Sequence, residues 1–138
     1  MADKLATLIG DVVGSRGHAD RRSLQRSLNA VLSSVNALLD PAQPLELAIG
    51  DEFQGGFASV ADATHASLLL RLQLLERDEG IDSRYGLGEG EVTIFDEARA
   101  PVSQDGPGWW AARAAIERAK ALAESSRIVD EVNRLIGS

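Results

Sequence analysis

The first half of the chain alternates apolar and polar blocks that predict strand, helix and hairpin in that order. Leu5 to Ile9 is a short apolar run that closes on Gly10-Asp11, which predicts a buried strand. Leucines and valines then recur at helical spacing over residues 24–39, with Asp20 as the predicted N-cap. Leu45 to Ile49 alternates and leads through Gly50-Asp51 into a segment that can run back, so we expect a β-hairpin with Asp51 at its tip.

The second half predicts further helices around one more strand region. Residues 59–78 are rich in Ala and Leu without internal Pro or Gly, which predicts a helix capped by Ser59 and apolar on more than one side. Residues 81–95 favour strand but are interrupted by closely spaced glycines, which indicate tight backbone packing or a bulge. Trp109 to Ala123 and Ile128 to Ile136 each predict a helical segment.

This order of elements is the split β-α-β, or ferredoxin-like, arrangement of an α+β fold, followed by additional C-terminal helices. We expect one domain over residues 1–138. In this arrangement the first and third strands lie side by side in one antiparallel sheet. The end of the first strand then lies beside the hairpin, so Asp11 and Asp51 are predicted to reach the same edge of the sheet.

Composition narrows the classes of function. The formal net charge of -7 argues against unaided binding to nucleic acid and favours a bound cation. The absence of cysteine excludes disulfides and thiolate metal sites. Since no apolar run approaches the roughly 18 residues of a membrane span, we expect a cytoplasmic protein without membrane insertion.

The paired aspartates are the main candidate for chemistry. Mg²⁺ and Mn²⁺ are hard cations that prefer carboxylate oxygens, and Mg²⁺ commonly uses one or two carboxylates with water and phosphate. The convergence of Asp11 and Asp51 therefore predicts a metal site. The alternative is that both are turn residues, because Gly-Asp is common turn chemistry.

Other polar and aromatic residues are weaker candidates. Arg16 and Arg113 suit phosphate recognition, but Arg113 could equally form a structural ion pair. Arg21 is interpreted as a solvated charge. Of Trp109 and Trp110, we expect at most one in the core, because adjacent helical residues point in different directions. Three carboxylates could supply a third ligand or a general base, although strand-end charges are the favoured interpretation: Glu52, Glu89 and Glu91.

Several blocks together resemble the SatD family over nearly the whole chain. The family's name refers to secretion and acid tolerance in bacteria, so the resemblance implies a bacterial stress or acid-tolerance context. SatD-like chains commonly continue into a helix-turn-helix, which is not found before Gly137-Ser138, so any DNA contact is expected from residues outside this chain. The blocks are Ile9 to Arg16, Ile49 to Gly55, Arg84 to Thr93, Asp105-Gly106-Pro107 and Ala112-Arg113.

More distantly, the same blocks resemble class III nucleotidyl cyclases, and Gly50-Asp51-Glu52-Phe53 is similar to the hairpin of GGDEF diguanylate cyclases. The cyclase resemblance implies that Asp11, the carbonyl of Val12 and Asp51 hold metal ions. It also implies that the loop after the first aspartate wraps a triphosphate through Gly14, Ser15 and Arg16. Since such cyclases build their sites between two chains, it further implies a homodimer.

The chain departs from the cyclase pattern at three positions. Trp109 stands where cyclases place an Asn four residues before the phosphate-stabilising Arg, which matches Arg113. Leu47 and Pro101 stand where the base-reading Lys and Asp would fall. These departures disfavour a purine-specific cyclase and leave metal and phosphate binding.

Two hypotheses follow. The first is a metal-dependent domain that binds a nucleoside triphosphate or another phosphate ligand, with nucleotidyl transfer as its activity if it is an enzyme. The second is a catalytically inert sensor or dimerisation module of a regulatory, DNA-binding protein.

Overall fold

The computed structural model describes residues 3–14, 20–48, 50–77, 80–94 and 104–137. Within these ranges the chain forms five strands and three helices. Their order is β1 (Asp3–Val12), α1 (Arg21–Leu39), β2 (Gln43–Leu47), β3 (Phe53–Phe57), α2 (Val60–Glu76), β4 (Ser83–Ile94), β5 (Gln104–Asp105) and α3 (Pro107–Gly137). None of these helices is both long enough and apolar enough to cross a membrane.

The sheet has the strand order β2-β3-β1-β4-β5, and every neighbouring pair is antiparallel. The central strand β1 pairs with β3 as far as Gly10 opposite Phe53, and with β4 as far as Val12 opposite Ser83. The prediction of an α+β fold with the first and third strands side by side is therefore confirmed. The two-residue strand β5 extends the predicted sheet by one edge strand.

Helix α3 and strand β4 differ from the prediction because each is continuous. The two predicted C-terminal segments join into one helix from Pro107 to Gly137, since the polar residues between them include neither Gly nor Pro. The glycines of β4 do not break the strand. A Cβ on Gly86 would overlap the carbonyl oxygen of Ala112, and one on Gly88 would lie 2.5 Å from the Ala112 nitrogen. The predicted tight backbone packing is thus the packing of α3 on β4.

The two faces of the sheet carry separate apolar clusters, because successive strand residues point to opposite faces. On β1, Ala6 and Leu8 pack with α1 and α2, whereas Ile9 packs with α3. The α3 cluster is the smaller of the two: Ile9, Val92, Trp109, Ala112 and Ile116. Helix α3 therefore lies on the opposite face from α1 and α2.

The predicted N-caps are confirmed for both helices of the larger face. The side chain of Asp20 accepts a hydrogen bond from the Ser23 nitrogen, and that of Ser59 accepts one from the Asp62 nitrogen. The cap at Asp20 fixes the first turn of α1. Because that turn contains Arg21, the cap also fixes the position from which this residue reaches the hairpin.

Candidate functional site

The candidate site lies at the edge where β1 ends. Asp11 is opposite Arg84 of β4, while the preceding Gly10 is opposite Phe53 of β3. A Cβ on Gly10 would overlap the Phe53 ring, so glycine leaves room for this ring against β1. The pairing of Gly10 with Phe53 holds the hairpin residues before Phe53 beside the end of β1, so Asp11 and Asp51 lie at the same end of the β1–β3 pair.

The carboxylate of Asp11 is held by two cations. Arg84 Nε donates to Oδ1 at 3.3 Å, and Lys120 Nζ of α3 lies 3.0 Å from Oδ2. The Asp11 side chain is 15% exposed. The hydrogen bond to Asp11 is the main cause that raises the pKa of Lys120.

The carboxylate of Asp51 is more deeply buried and is held from α1. Arg21 Nη2 donates to Oδ2 and Gln25 Nε2 donates to Oδ1, each at 3.1 Å. The interpretation of Arg21 as a solvated charge is therefore wrong: its side chain is half-exposed, but its guanidinium is bound to Asp51. Since α1 and α3 lie on opposite faces of the sheet, the two aspartates are approached from different sides.

Glu52, which follows Asp51, forms a bidentate ion pair with Arg113 of α3. Arg113 Nη1 and Nη2 donate to the two carboxylate oxygens at 2.8 and 2.5 Å. These hydrogen bonds are the main cause that lowers the pKa of Glu52 and raises that of Arg113. Glu117 lies 3.9 Å from Arg113 and 3.5 Å from Lys120, so it joins this pair to the Asp11 contacts.

The carboxylate oxygens of the described residues are suitable ligands for a divalent cation, but they do not form a complete coordination site. In the described ranges no group of three or more His, Cys, Asp or Glu is arranged to hold a metal ion. Both oxygens of Asp11 and both of Asp51 face protein cations or an amide nitrogen. These partners are the ends of partly exposed side chains, which can move aside. Two carboxylates suffice for Mg²⁺ when water and phosphate complete its shell.

The loop residues implied by the resemblance are only partly described. Gly14 has a φ of +70°, a left-handed conformation that suits glycine, in the turn after β1. Ser15 and Arg16 lie outside the described residues. The side chain of Val12 packs in the larger core cluster, so only its backbone is available as a ligand.

Two of the three positions that depart from the cyclase pattern are occupied by packing residues. Trp109 is 7% exposed and belongs to the α3 cluster, whereas Trp110 is 60% exposed and donates its Nε1 to Asp105. The expectation of one tryptophan in the core is confirmed. Leu47 packs against the larger core, and Pro101 lies outside the described residues. The core tryptophan and Leu47 therefore replace functional polar groups with apolar contacts.

Among the described residues, four that contact the two aspartates had no predicted role in the site. These residues are Arg21, Gln25, Arg84 and Lys120. Arg84 follows from the register of β4 against β1, which sequence alone does not give. Lys120 carries a signal in hindsight, because residues 113, 117 and 120 lie on one face of a continuous helix.

A sequence profile of the SatD family matches residues 5–124. The chain belongs to the SatD family. This match covers every residue of the site described above, including Lys120. A comparison with curated protein sequences finds no match for this SatD-family chain.

Solved nucleotidyl cyclases share the fold of this SatD-family domain. An adenylate/guanylate cyclase/hydrolase from Silicibacter pomeroyi matches with a TM-score of 0.62 and 18% identity, over 83% of this chain and 70% of that chain. The non-canonical dimeric guanylyl cyclase domain of RhoGC from Blastocladiella emersonii gives 0.66 and 16%, over 83% and 74%. The adenylyl cyclase CyaB from P. aeruginosa gives 0.59 and 17%, over 82% and 70%. At these identities the likeness establishes a cyclase-like fold and not an activity.

Proposed function

We propose that this domain binds Mg²⁺ or Mn²⁺ together with a nucleoside triphosphate at the edge where β1 ends. Asp11 and Asp51 supply the carboxylate ligands. The observation that supports the proposal is the register that pairs Gly10 with Phe53, which places Asp11 and Asp51, from segments distant in sequence, at the same end of the β1–β3 pair. The cyclase-like fold supports it, because the resemblance gives the matching positions a metal-binding role.

The surrounding charges suit a phosphate. Arg113 and Lys120 from α3 and Arg84 from β4 are all within contact distance of carboxylates at this edge. The guanidinium fork matches phosphate geometry, and lysine is a common phosphate ligand. The carboxylates at this edge would bind the metal of a metal–triphosphate complex, and the cationic side chains would bind its phosphates. Gly14, Ser15 and Arg16 extend the proposed phosphate site into the loop after β1.

Binding is better supported than catalysis. When bound, the metal would supply Lewis-acid stabilisation of phosphate charge. Arg113 would carry any transition-state role, yet its guanidinium is paired with Glu52. The Asn position holds the buried Trp109, and the base-reading position holds Leu47. Nucleotidyl transfer therefore stays the finer hypothesis, without a named base or product.

The second candidate is an inert sensor or dimerisation module of a regulatory protein. The Arg113–Glu52 pair and the core position of Trp109 favour it, because both turn cyclase site positions into structural contacts. A dimer is proposed by analogy with the dimeric guanylyl cyclase domain that shares the fold. The two candidates differ in one property, which is ligand binding at Asp11 and Asp51.

Thermal melting tests the first candidate against the second. A ligand that binds only the folded state stabilises it by about 2.7 kcal/mol at a hundredfold excess over its dissociation constant. We expect the melting temperature to rise with Mn²⁺ or Mg²⁺ plus a nucleoside triphosphate, and to rise less with either alone. Melting unchanged by every combination at millimolar ligand would support the inert module instead.

A further inference from the structure

Lys120 takes the place on Asp11 that a metal ion would need. Its ammonium lies 3.0 Å from Oδ2, while Arg84 occupies Oδ1. We infer that Lys120 is a tethered cation that competes with the divalent metal for Asp11 and, once displaced, becomes a phosphate ligand. Metal and phosphate then bind cooperatively. This inference rests on the proposed function and adds a coupling between its two ligands.

Of the two cations on Asp11, Lys120 is the more readily displaced. The backbone of Arg84 is held directly opposite Asp11 in the β1–β4 ladder, so its side chain starts beside the carboxylate, and this side chain is 25% exposed. Lys120 reaches the carboxylate from α3 on a flexible four-carbon stem, and its side chain is 31% exposed. A divalent cation at Asp11 would repel the ammonium at contact distance, so the two cannot share the carboxylate at full strength.

Glu117 gives the displaced ammonium a partner on its own helix. Its carboxylate lies 3.5 Å from Lys120 Nζ, one turn earlier on α3. Lys120 can therefore release Asp11 without becoming an unpaired charge. Because Glu117 is exposed, it holds the ammonium only weakly, and an incoming phosphate oxygen can take over.

Each ligand alone meets an unfavourable arrangement. A metal ion must expel Lys120 from Asp11, and a phosphate finds Lys120 and Arg113 already neutralised by carboxylates. Together the metal takes the carboxylate and the phosphate takes the released cation. Each ligand should therefore strengthen the other by the same factor, as thermodynamic linkage requires.

The test measures Mn²⁺ and inorganic tripolyphosphate, each alone and each in the presence of the other, by titration calorimetry. For the natural chain we expect each ligand to bind about tenfold more tightly when the other is present. In Lys120→Gln, Mn²⁺ alone should bind about tenfold more tightly, because a charged hydrogen bond no longer competes, and the coupling should fall to the part that direct contact between metal and phosphate supplies.

Two variants separate this account from a change in net charge or in folding. Arg118→Gln removes an exposed positive charge from the same helix, two residues away, and should leave the coupling unchanged. Lys120→Arg restores a tethered cation and should keep the weak binding of Mn²⁺ alone. Loss of coupling in Lys120→Arg, or equal effects of Lys120→Gln and Arg118→Gln, would overturn the inference.

The failures of the inference and of the proposed function are distinguishable. If the natural chain binds Mn²⁺ but Lys120→Gln leaves the affinity for Mn²⁺ alone unchanged, the tethered-cation inference is wrong and the site stands. If the natural chain binds no Mn²⁺ even with tripolyphosphate, the proposed function itself is wrong, and the inference is overturned with it.

Discussion

The two faces of the sheet are built differently. The face under α1 and α2 is filled by aliphatic and aromatic side chains from four strands and both helices. The face under α3 has a much smaller apolar cluster, close to the glycines of β4, and then continues into ion pairs at the end of β1. The first face supplies the hydrophobic core, and the second brings the charged residues of α3 to the carboxylates.

Under the proposed function, this division would assign stability to one face of the sheet and ligand binding to the other. Burial of apolar area on the α1 and α2 face stabilises the fold, and this stabilisation does not depend on the ion pairs of the α3 face. The α3 face places Arg113 and Lys120 beside carboxylates, and in the proposed function these cations exchange the carboxylates for phosphate. Substitutions on the first face should therefore change stability most, and substitutions on the second should change ligand binding most.

The largest effect on stability is expected on the α2 face. Leu70 is fully buried, so Leu70→Ala should lower the free energy of unfolding by about 2–5 kcal/mol through lost burial and a cavity. Leu72 on the same helix is 51% exposed, so Leu72→Ala should change the free energy of unfolding by no more than about 0.5 kcal/mol. Denaturant unfolding measures both. Equal losses would contradict the assigned core face.

An intermediate effect is expected where α3 meets β4. A Cβ on Gly86 would overlap the backbone of α3, so Gly86→Ala should cost about 1–3 kcal/mol and shift Arg113 and Lys120 away from their carboxylates. Binding of Mn²⁺ with a triphosphate should change with it. In Gly90→Ala the new Cβ would lie 3.0 Å from the Gly108 nitrogen, so this variant should lose less free energy of unfolding than Gly86→Ala. A larger loss in Gly90→Ala would show that α3 packs differently.

The smallest effect is expected at the Glu52–Arg113 pair, and it should depend on pH. Glu52→Gln should cost about 1–2 kcal/mol at pH 7, because Arg113 loses a charged partner. The pKa of Glu52 is lowered in the folded state by the hydrogen bonds from Arg113. The contribution of Glu52 to the free energy of unfolding is therefore complete above its unfolded-state pKa of about 4.3. It is lost as the pH falls through the lower pKa of the folded state.

Unfolding measured from pH 7 to pH 3 checks this dependence. The difference between the natural chain and Glu52→Gln should stay constant down to about pH 5 and shrink below about pH 4. Glu91→Gln, at an exposed carboxylate of β4, is the control and should change stability little at any of these values. A difference that grows as the pH falls would contradict the ion pair.

Much of the fold could be predicted because local pattern and fold agree. The apolar run of β1, the spacing in α1 and the caps at Asp20 and Ser59 act within a few residues of sequence. The continuity of β4 could not be predicted. Glycines weaken an isolated strand, and only the presence of α3 above Gly86 and Gly88 shows why they are tolerated.

For the candidate site, the sequence predicted the edge but not the contacts. The placement of Asp11 and Asp51 at the same end of the β1–β3 pair followed from strand order alone. Their partners depend on where α1 and α3 pack and on the rotamers of long side chains, which no short pattern encodes. Arg21 and Lys120 therefore emerge only from the structure.

The most direct test of the proposed metal and phosphate site is the affinity for Mn²⁺, measured by calorimetry on protein saturated with a nucleoside triphosphate. Asp11→Asn and Asp51→Asn keep side-chain size but remove an anionic ligand, so each should weaken Mn²⁺ binding by at least about tenfold. Glu91→Gln should bind as the natural chain does. Unchanged Mn²⁺ affinity in both Asn variants would contradict the paired-carboxylate site.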